Sequence, residues 1–349
     1  MPRVKEGKGK AKGTPPPVVV SLQKFLKTYE KHCAHSGTSV CPAVWRDLKS
    51  SITSEQSLRR FTLLRPDESP PGHTPVSLEP LLVTIREEHY TAGKELCIWG
   101  LALSNPEIAR LVSDGLTLFL SFLFRFGNEE IERIFSGLEN NKRLQGLSLR
   151  YCGLGPGSGP RLGLVISRSA VCKLHLDGND LQCSGALALL RPLVEYAETQ
   201  EKDLPATAVP NTGSLPPPQK GSSTLSQIAK SSQAVTNKKC LIEAGPWLVK
   251  LHLADNGIDG HGEEGSLLEF TQMLTRLIKH SAHVREIDLG NNALGEKAAA
   301  DVLRALRARK TGRLPTLKIT VTPRISSDTF RSILKNSKKS NTTYRKKKK

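Results

Sequence analysis

The chain has 349 residues, with 51 lysines and arginines against 33 acidic residues, and a formal net charge of +18. Residues 1–13 carry +4 and residues 324–349 carry +9, so the rest of the chain is close to balanced. An aromatic content of 5% leaves little material for stacking nucleic-acid bases. The longest apolar stretch, Leu116 to Phe126, is about half as long as a membrane span. These values argue against a nucleic-acid module and against a transmembrane segment.

The seven cysteines lie at irregular spacing and include no C-x-x-C pair. This distribution favours neither a disulfide framework nor a zinc–thiolate site. We therefore expect a reducing, intracellular compartment.

The N-terminal part is predicted to be a disordered basic arm followed by a helical cap. Residues 1–17 are rich in Lys, Gly and Pro, a composition typical of disorder. Residues 18–57 carry apolar residues at helical spacing in two segments, Leu22 to His35 and Ala43 to Ile52. An open-ended repeat array exposes its terminal core, so a helical cap at this position would cover apolar surface.

An apolar triad with the spacing L-x-x-L-x-L recurs along the rest of the chain. Weaker copies include Leu58-Phe61-Leu63, Leu96-Ile98, Leu118-Leu120 and Leu314-Leu317-Ile319. Four copies continue to an Asn or Cys and then to a Leu or Ile. The Asn or Cys side chain can hydrogen-bond the turning backbone. These four are Leu144-Leu147-Leu149-Cys152-Leu154, Val171-Leu174-Leu176-Asn179-Leu181, Leu248-Leu251-Leu253-Asn256-Ile258 and Val284-Ile287-Leu289-Asn292-Leu294.

Apolar residues at helical spacing follow most triads, as in Ile131 to Leu138 and Leu187 to Val194. The motifs are those of a leucine-rich repeat, and the strings Glu139 to Leu144 and Leu294 to Ala299 resemble the ribonuclease-inhibitor-like class. The resemblance covers roughly residues 90 to 335 and, with the weaker upstream copies, implies an α/β fold over residues 58–335. It would be a right-handed leucine-rich-repeat solenoid, or horseshoe, with a parallel concave sheet and convex helices. Such a fold favours binding over catalysis.

Three segments are expected to lie outside the regular repeats. The step of 77 residues from Leu174 to Leu251 exceeds one repeat, and residues 197–239 are rich in Pro, Ser, Thr, Gln and Lys, which predicts a disordered insertion. Residues 65–74 contain three prolines and a glycine and predict a mobile loop. Residues 336–349 predict a basic C-terminal tail.

Side chains between the apolar positions of each strand should face the concave surface. Alignment at the middle apolar residue predicts one row that contains Ser148, His175, His252, Asp288 and Lys318. The neighbouring row on one side contains Arg150 and Asp177. The row on the other side contains Lys173, Lys250, Glu286 and Thr316. At the early end, Trp99 and Phe119 add two large aromatic side chains, which could equally pack on the helical cap.

These rows allow three interpretations. Two His and an Asp at strand spacing could hold a divalent metal, or they could form a pH-sensitive contact surface for a partner. The third interpretation is that they are ordinary polar residues on a solvated face. A flat ladder of strands rarely converges to a tetrahedral site, so we expect no metal and no cofactor. We interpret the face as a protein-binding surface with mixed charges and aromatic contacts.

The sequence favours a non-enzymatic scaffold for protein–protein interaction. The glycine-rich run at residues 153–160 lacks the Lys-Ser/Thr of a phosphate-binding loop, and no catalytic residues are expected. The helical lead-in resembles that of several ciliary and centrosomal leucine-rich-repeat proteins at Phe25, Tyr29, Cys33, Val40, Val44 and Leu48. This resemblance implies a cytoplasmic protein of the ciliary axoneme or basal body, with tubulin or axonemal proteins as partners.

The C-terminal tail would contribute through its charge. Acidic tubulin surfaces are one polyanion that solvated basic side chains attract. The residues concerned are Arg345, Lys346, Lys347, Lys348 and Lys349. The alternative is a regulatory binder of an enzyme or GTPase in the cytosol or nucleus, with the tail acting as an address or a solubilising segment.

Overall fold

A computed structural model describes residues 16–64, 74–101, 103–113, 119–123, 127–139, 141–202, 248–261, 265–322 and 325–337. The helices in these ranges are α1 (Pro17–His35), α2 (Pro42–Thr53), α3 (Glu79–Glu87), α4 (Asn105–Ser113), α5 (Asn128–Leu138), α6 (Ser158–Arg168), α7 (Gln182–Lys202), α8 (Ser266–His280), α9 (Gly295–Thr311) and α10 (Ser327–Ser337). The strands are β1 (Arg60–Leu64), β2 (Glu95–Trp99), β3 (Phe119–Leu123), β4 (Gly146–Leu149), β5 (Lys173–His175), β6 (Lys250–His252), β7 (Glu286–Leu289) and β8 (Lys318–Val321). None of the described helices is long and apolar enough to cross a membrane.

The strands form one eight-stranded parallel sheet whose spatial order follows the chain from β1 to β8. A helix follows each strand, and consecutive helices from α4 to α10 pack against one another. Every parallel pair therefore joins neighbouring units of the chain, which is a solenoid-like arrangement. The prediction of an α/β fold built on a parallel sheet is confirmed.

The core lies between the sheet and the helices. In β7, Ile287 and Leu289 are buried whereas Glu286 and Asp288 are partly exposed, the alternation that the pleat of a strand imposes. The two helices expected at the N-terminus are α1 and α2. Phe25 of α1 stacks on Phe61 of β1 with ring centroids 5.5 Å apart, so α1 packs against the first strand.

Two strands are shifted by two residues from their predicted alignment. Leu120 rather than Leu118 lies opposite Leu96, and Ile319 rather than Leu317 lies opposite Ile287. A shift of two residues keeps every side chain on the same face of the sheet, so the alternation of apolar residues does not distinguish the two alignments. Lys318 consequently pairs with Glu286 and not with Asp288, and Thr316 precedes the strand.

Several predicted segments fall wholly or partly outside the described residues. Helix α7 continues to Lys202, past the predicted start of the insertion at residue 197, and α10 continues to Ser337, past the predicted start of the tail at residue 336. Residues 203–239 of the insertion, 65–73 of the loop, 338–349 of the tail and 1–15 of the arm lie outside the described residues.

Buried asparagines connect the turns that follow the strands. Asn179 accepts hydrogen bonds from the backbone N–H groups of Cys152 and Leu154, both at 3.0 Å, and donates to the carbonyls of Leu149 at 2.8 Å and Leu176 at 2.7 Å. Asn256 and Asn292 occupy the same position in their units and also bond the backbone of the preceding unit. The predicted hydrogen bonding of these side chains to the turning backbone is confirmed. A turn buried between units satisfies its polar groups in this way.

Replacing Asn179 by Asp tests this ladder. The substitution keeps the shape and the accepted bonds but replaces the amide donor by a carboxylate oxygen that faces the two carbonyls. We expect Asn179→Asp to lower the free energy of unfolding by roughly 2–4 kcal/mol in urea denaturation at neutral pH. Asn291→Asp, at an exposed turn position with φ of 55° that Asp tolerates, is the matched control and should change stability little. Equal effects of the two substitutions would contradict this role.

A buried arginine connects the later units in a second way. The Arg309 side chain in α9 is 2% exposed and donates hydrogen bonds to the carbonyls of Ile278 at 2.8 Å, Ser281 at 2.7 Å, Val284 at 3.1 Å and Pro315 at 2.8 Å. Burial lowers the pKa of Arg309 to about 10, so the guanidinium is still charged at neutral pH. The arginine thus satisfies carbonyls at the end of α8 and in the two turns that precede β7 and β8.

Loss of this guanidinium should destabilise the later units. Arg309→Met fills similar volume but leaves buried carbonyls without donors, and we expect the free energy of unfolding to fall by roughly 2–4 kcal/mol. Arg307→Met, an exposed position in the same helix, is the control and should lie within about 0.5 kcal/mol of wild type. Chemical denaturation of both variants checks this, and an Arg309→Met protein as stable as the control would contradict it.

Candidate functional site

The site is built from side chains on the face of the sheet that is opposite to the helices, which we call the exposed sheet face. The strand register aligns Ser148, His175, His252 and Asp288 in one row, as predicted. It aligns Lys173, Lys250, Glu286 and Lys318 in the neighbouring row. Lys318 therefore belongs to the second row and not to the first, because β8 is shifted by two residues.

The two histidines of the first row contact each other. Their Nδ1 atoms are 3.0 Å apart, and the rings meet edge to face with centroids 4.3 Å apart. Because this contact is a hydrogen bond between two imidazoles, one Nδ1 carries a hydrogen and the other presents a lone pair. Burial, the neighbouring His252 ring and the Arg150 charge lower the pKa of His175 to about 4, so His175 is neutral at pH 7.

The acidic group that converges with the two histidines is Asp177, whereas the predicted row contains Asp288. One Asp177 oxygen, Oδ2, lies 2.5 Å from Arg150 Nε and 4.0 Å from His252 Nδ1. The other, Oδ1, accepts a hydrogen bond from the N–H of Ala254 at 3.2 Å. Asp288 instead accepts from the N–H of Gly290 at 2.9 Å, so its carboxylate turns toward the end of its own strand.

The convergence of these groups goes beyond what a row of strands implies. Ligand atoms of His175, Asp177 and His252 all lie within 4.8 Å of one another. The His252 and Asp177 side chains are only 14% and 10% exposed, and Asp177 comes from the turn just after β5, in the row that was predicted to lie next to the histidines. Imidazole and carboxylate groups in this arrangement could hold a divalent metal.

Beside this cluster, Glu286 lies between two lysines. Its carboxylate contacts Lys318 Nζ at 2.7 Å and Lys250 Nζ at 2.9 Å, and its Oε1 is 3.6 Å from His252 Nε2. The hydrogen bonds from Lys318 and Lys250 lower the pKa of Glu286 from 4.5 to about 2. Glu286 is thus an anion throughout the physiological range, and its charge is compensated within the face.

The remaining predicted site residues of the face differ in exposure. Lys173 is exposed and Trp99 is 39% exposed. Ser148 was predicted to lie at the surface, but it is only 4% exposed and is not available there. The Phe119 backbone pairs with Gly146 in the row of Lys173, but its side chain lies outside the described residues. Residues 345–349 of the basic tail also lie outside them.

Comparison with known proteins gave no match, either to a protein-family model or to a curated protein.

The charge of Glu286 can be tested by titration. We expect its carboxyl carbon, followed by NMR and assigned by comparison with Glu286→Gln, to titrate near pH 2, and to titrate closer to 4.5 in Lys318→Gln because one ion pair is lost. Because the pKa of Glu286 is lower in the folded state than in the unfolded state, its ion pairs stabilise the fold. This contribution is fully present above about pH 4.5 and is lost as the pH falls through about 2. Lys297→Gln, on α9, is the control and should leave the titration unchanged; a wild-type midpoint near 4.5 would contradict the network.

Proposed function

We propose that the chain is a leucine-rich-repeat solenoid of the ribonuclease-inhibitor-like class, and that it is a non-enzymatic scaffold whose exposed sheet face binds a protein. The observation that supports this most directly is the continuous eight-stranded parallel sheet. Its strands bury their apolar residues against the helices and present charged side chains on the other face. Repeat proteins use such extended surfaces for binding.

The described part of this face suits a protein partner with charges of both signs. Lys173, Lys250, Glu286 and Lys318 follow one another on adjacent strands, about 4.8 Å apart. Since the backbone ladder fixes the strands, these charges are preorganised, and a complementary partner gains specificity and association rate from them. Trp99 at the early end offers an exposed aromatic side chain of the type that forms binding hot spots.

We further propose that this scaffold belongs to the ciliary axoneme or basal body. The support is the resemblance of its helical lead-in to that of ciliary leucine-rich-repeat proteins. Three of the residues that carry the resemblance, Phe25, Tyr29 and Cys33, form the buried side of α1. The basic tail would supplement the main contact by attracting acidic tubulin surfaces.

Localisation and capture test this proposal together. In ciliated cells, the tagged full-length chain is expected at cilia or basal bodies, and axonemal proteins or tubulin should be captured by it at physiological salt. Trp99→Ala combined with Lys173→Glu should reduce capture about tenfold or more, because an aromatic contact and a charge contact are lost. Deletion of residues 338–349, which leaves α10 intact, should weaken capture at low salt more than at high salt.

The matched control carries equivalent changes away from the sheet. Val20→Ala combined with Lys27→Glu alters two exposed positions of α1 and should capture as wild type does, provided that both double variants unfold at the wild-type temperature. Diffuse or nuclear signal with none at cilia would overturn the ciliary assignment and favour a regulatory binder of an enzyme or GTPase. Equal capture by both double variants would overturn the assignment of the binding face.

A further inference from the structure

The histidine pair on the exposed sheet face has the composition and spacing of a metal site. His175 and His252 come from adjacent strands, and Asp177 follows His175 by two residues. Two imidazole nitrogens and a carboxylate oxygen are ligands that Zn²⁺ and related divalent transition metals accept. We propose that His175, Asp177 and His252 bind one divalent transition-metal ion, with Zn²⁺ as the best fit, on the exposed sheet face.

The distances require only small movements. Two nitrogens bound to one tetrahedral Zn²⁺ at about 2.0–2.1 Å are about 3.3 Å apart, and the Nδ1 atoms of His175 and His252 are 3.0 Å apart. The Asp177 Oδ2 lies 4.0 Å from His252 Nδ1, and the three ligand atoms lie within 4.8 Å of one another, so the carboxylate has to approach the histidines by about 1–1.5 Å to complete three ligands. The fourth position would accept water or a side chain of a bound protein.

The other nitrogen of His252 provides an independent observation. His252 Nε2 is buried and has no hydrogen-bond partner among the described residues, and the nearby Glu286 Oε1 is 3.6 Å away, beyond normal hydrogen-bond length. Histidines that bind a metal commonly donate the N–H of their second nitrogen to a carboxylate. A proton on Nε2 that faces Glu286 would leave the Nδ1 lone pair of His252 toward His175 and the metal position.

The surrounding charges define what competes with the metal. Arg150 contacts the same Asp177 oxygen that would bind the ion, and its side chain is 47% exposed, so it can move into solvent. Lys250 also lies near His175 and disfavours added positive charge there. Arg150 is therefore the group whose removal should strengthen metal binding, an effect that damage to the fold would not produce.

Calorimetric titration of the metal-free full chain with ZnCl₂ tests the proposal. We expect one ion per chain at this site, affinity reduced at least tenfold in His175→Gln, His252→Gln and Asp177→Asn, and affinity increased several-fold in Arg150→Gln. His261→Gln, an exposed histidine outside the cluster, is the matched control and should bind as wild type does. Co²⁺ should give the absorption of nitrogen and oxygen ligands without thiolate charge-transfer bands, which separates this site from the cysteines.

Two results would overturn the proposal. One is Zn²⁺ binding that is the same in wild type, His175→Gln and His252→Gln. The other is an Arg150→Gln protein, folded by circular dichroism, whose affinity does not exceed that of wild type. Both measurements use the purified chain without a partner, so their outcome is independent of the capture experiments that test the scaffold function.

Discussion

The register between neighbouring units is the constraint on which the exposed sheet face depends. Between β5 and β6 it has to hold across a separation of 77 residues, most of which lie outside the described part. The ladder continues past the strand ends, where Leu176 N–H donates to the His252 carbonyl and Gly178 N–H donates to the Ala254 carbonyl, both at 2.9 Å. Beyond the ladder, the Asn256 side chain donates to the Leu176 carbonyl at 2.9 Å. The histidine contact is thus a consequence of backbone and amide hydrogen bonds that join these two units directly.

A fixed register also explains the electrostatics of the face. Parallel strands about 4.8 Å apart place charges of adjacent units within reach of one another, so the ion pairs described on this face join different units. Glu286 on β7 is held by a lysine on each neighbouring strand, and Asp177 contacts Arg150 of the unit before it. Ion pairs that are only partly exposed resist salt screening better than pairs on a free surface. The face is therefore ordered in its charges as well as in its backbone.

The sequence predicts the alignment of strands β4 to β7 well and that of β3 and β8 less well, for a physical reason. In the units of β4 to β7, an Asn or Cys after the triad anchors the alignment, because that side chain has to reach the turn backbone. The units of β3 and β8 lack this anchor, and the apolar alternation alone is unchanged by a shift of two residues. The rows of the face were accordingly predicted correctly up to Asp288, and Lys318 was assigned to the wrong row.

Other features of the site depend on side-chain direction, which a strand pattern does not specify. Asp177 lies beyond the end of β5, and its approach to the histidines follows from the turn that carries its carboxylate toward Ala254 N–H. Arg309 was missed because it lies in a basic helix end, next to Lys310 and near Arg307, where arginines are usually solvated. Its burial follows from the carbonyls that end the facing helix, a three-dimensional arrangement that no spacing within α9 encodes.

The two proposed activities of the face share Arg150, and this creates a link between them. If an ion takes the Asp177 oxygen, Arg150 loses the carboxylate that it contacts at 2.5 Å and becomes available to an acidic group of a bound protein. A partner that binds Arg150 would then bind more tightly when the metal is present. By thermodynamic linkage, that partner would strengthen metal binding by the same factor. A partner that leaves Arg150 on Asp177 would show no such coupling. The presence or absence of this coupling would therefore report whether the docking surface includes Arg150 or only other residues of the face, such as Lys173 and Trp99.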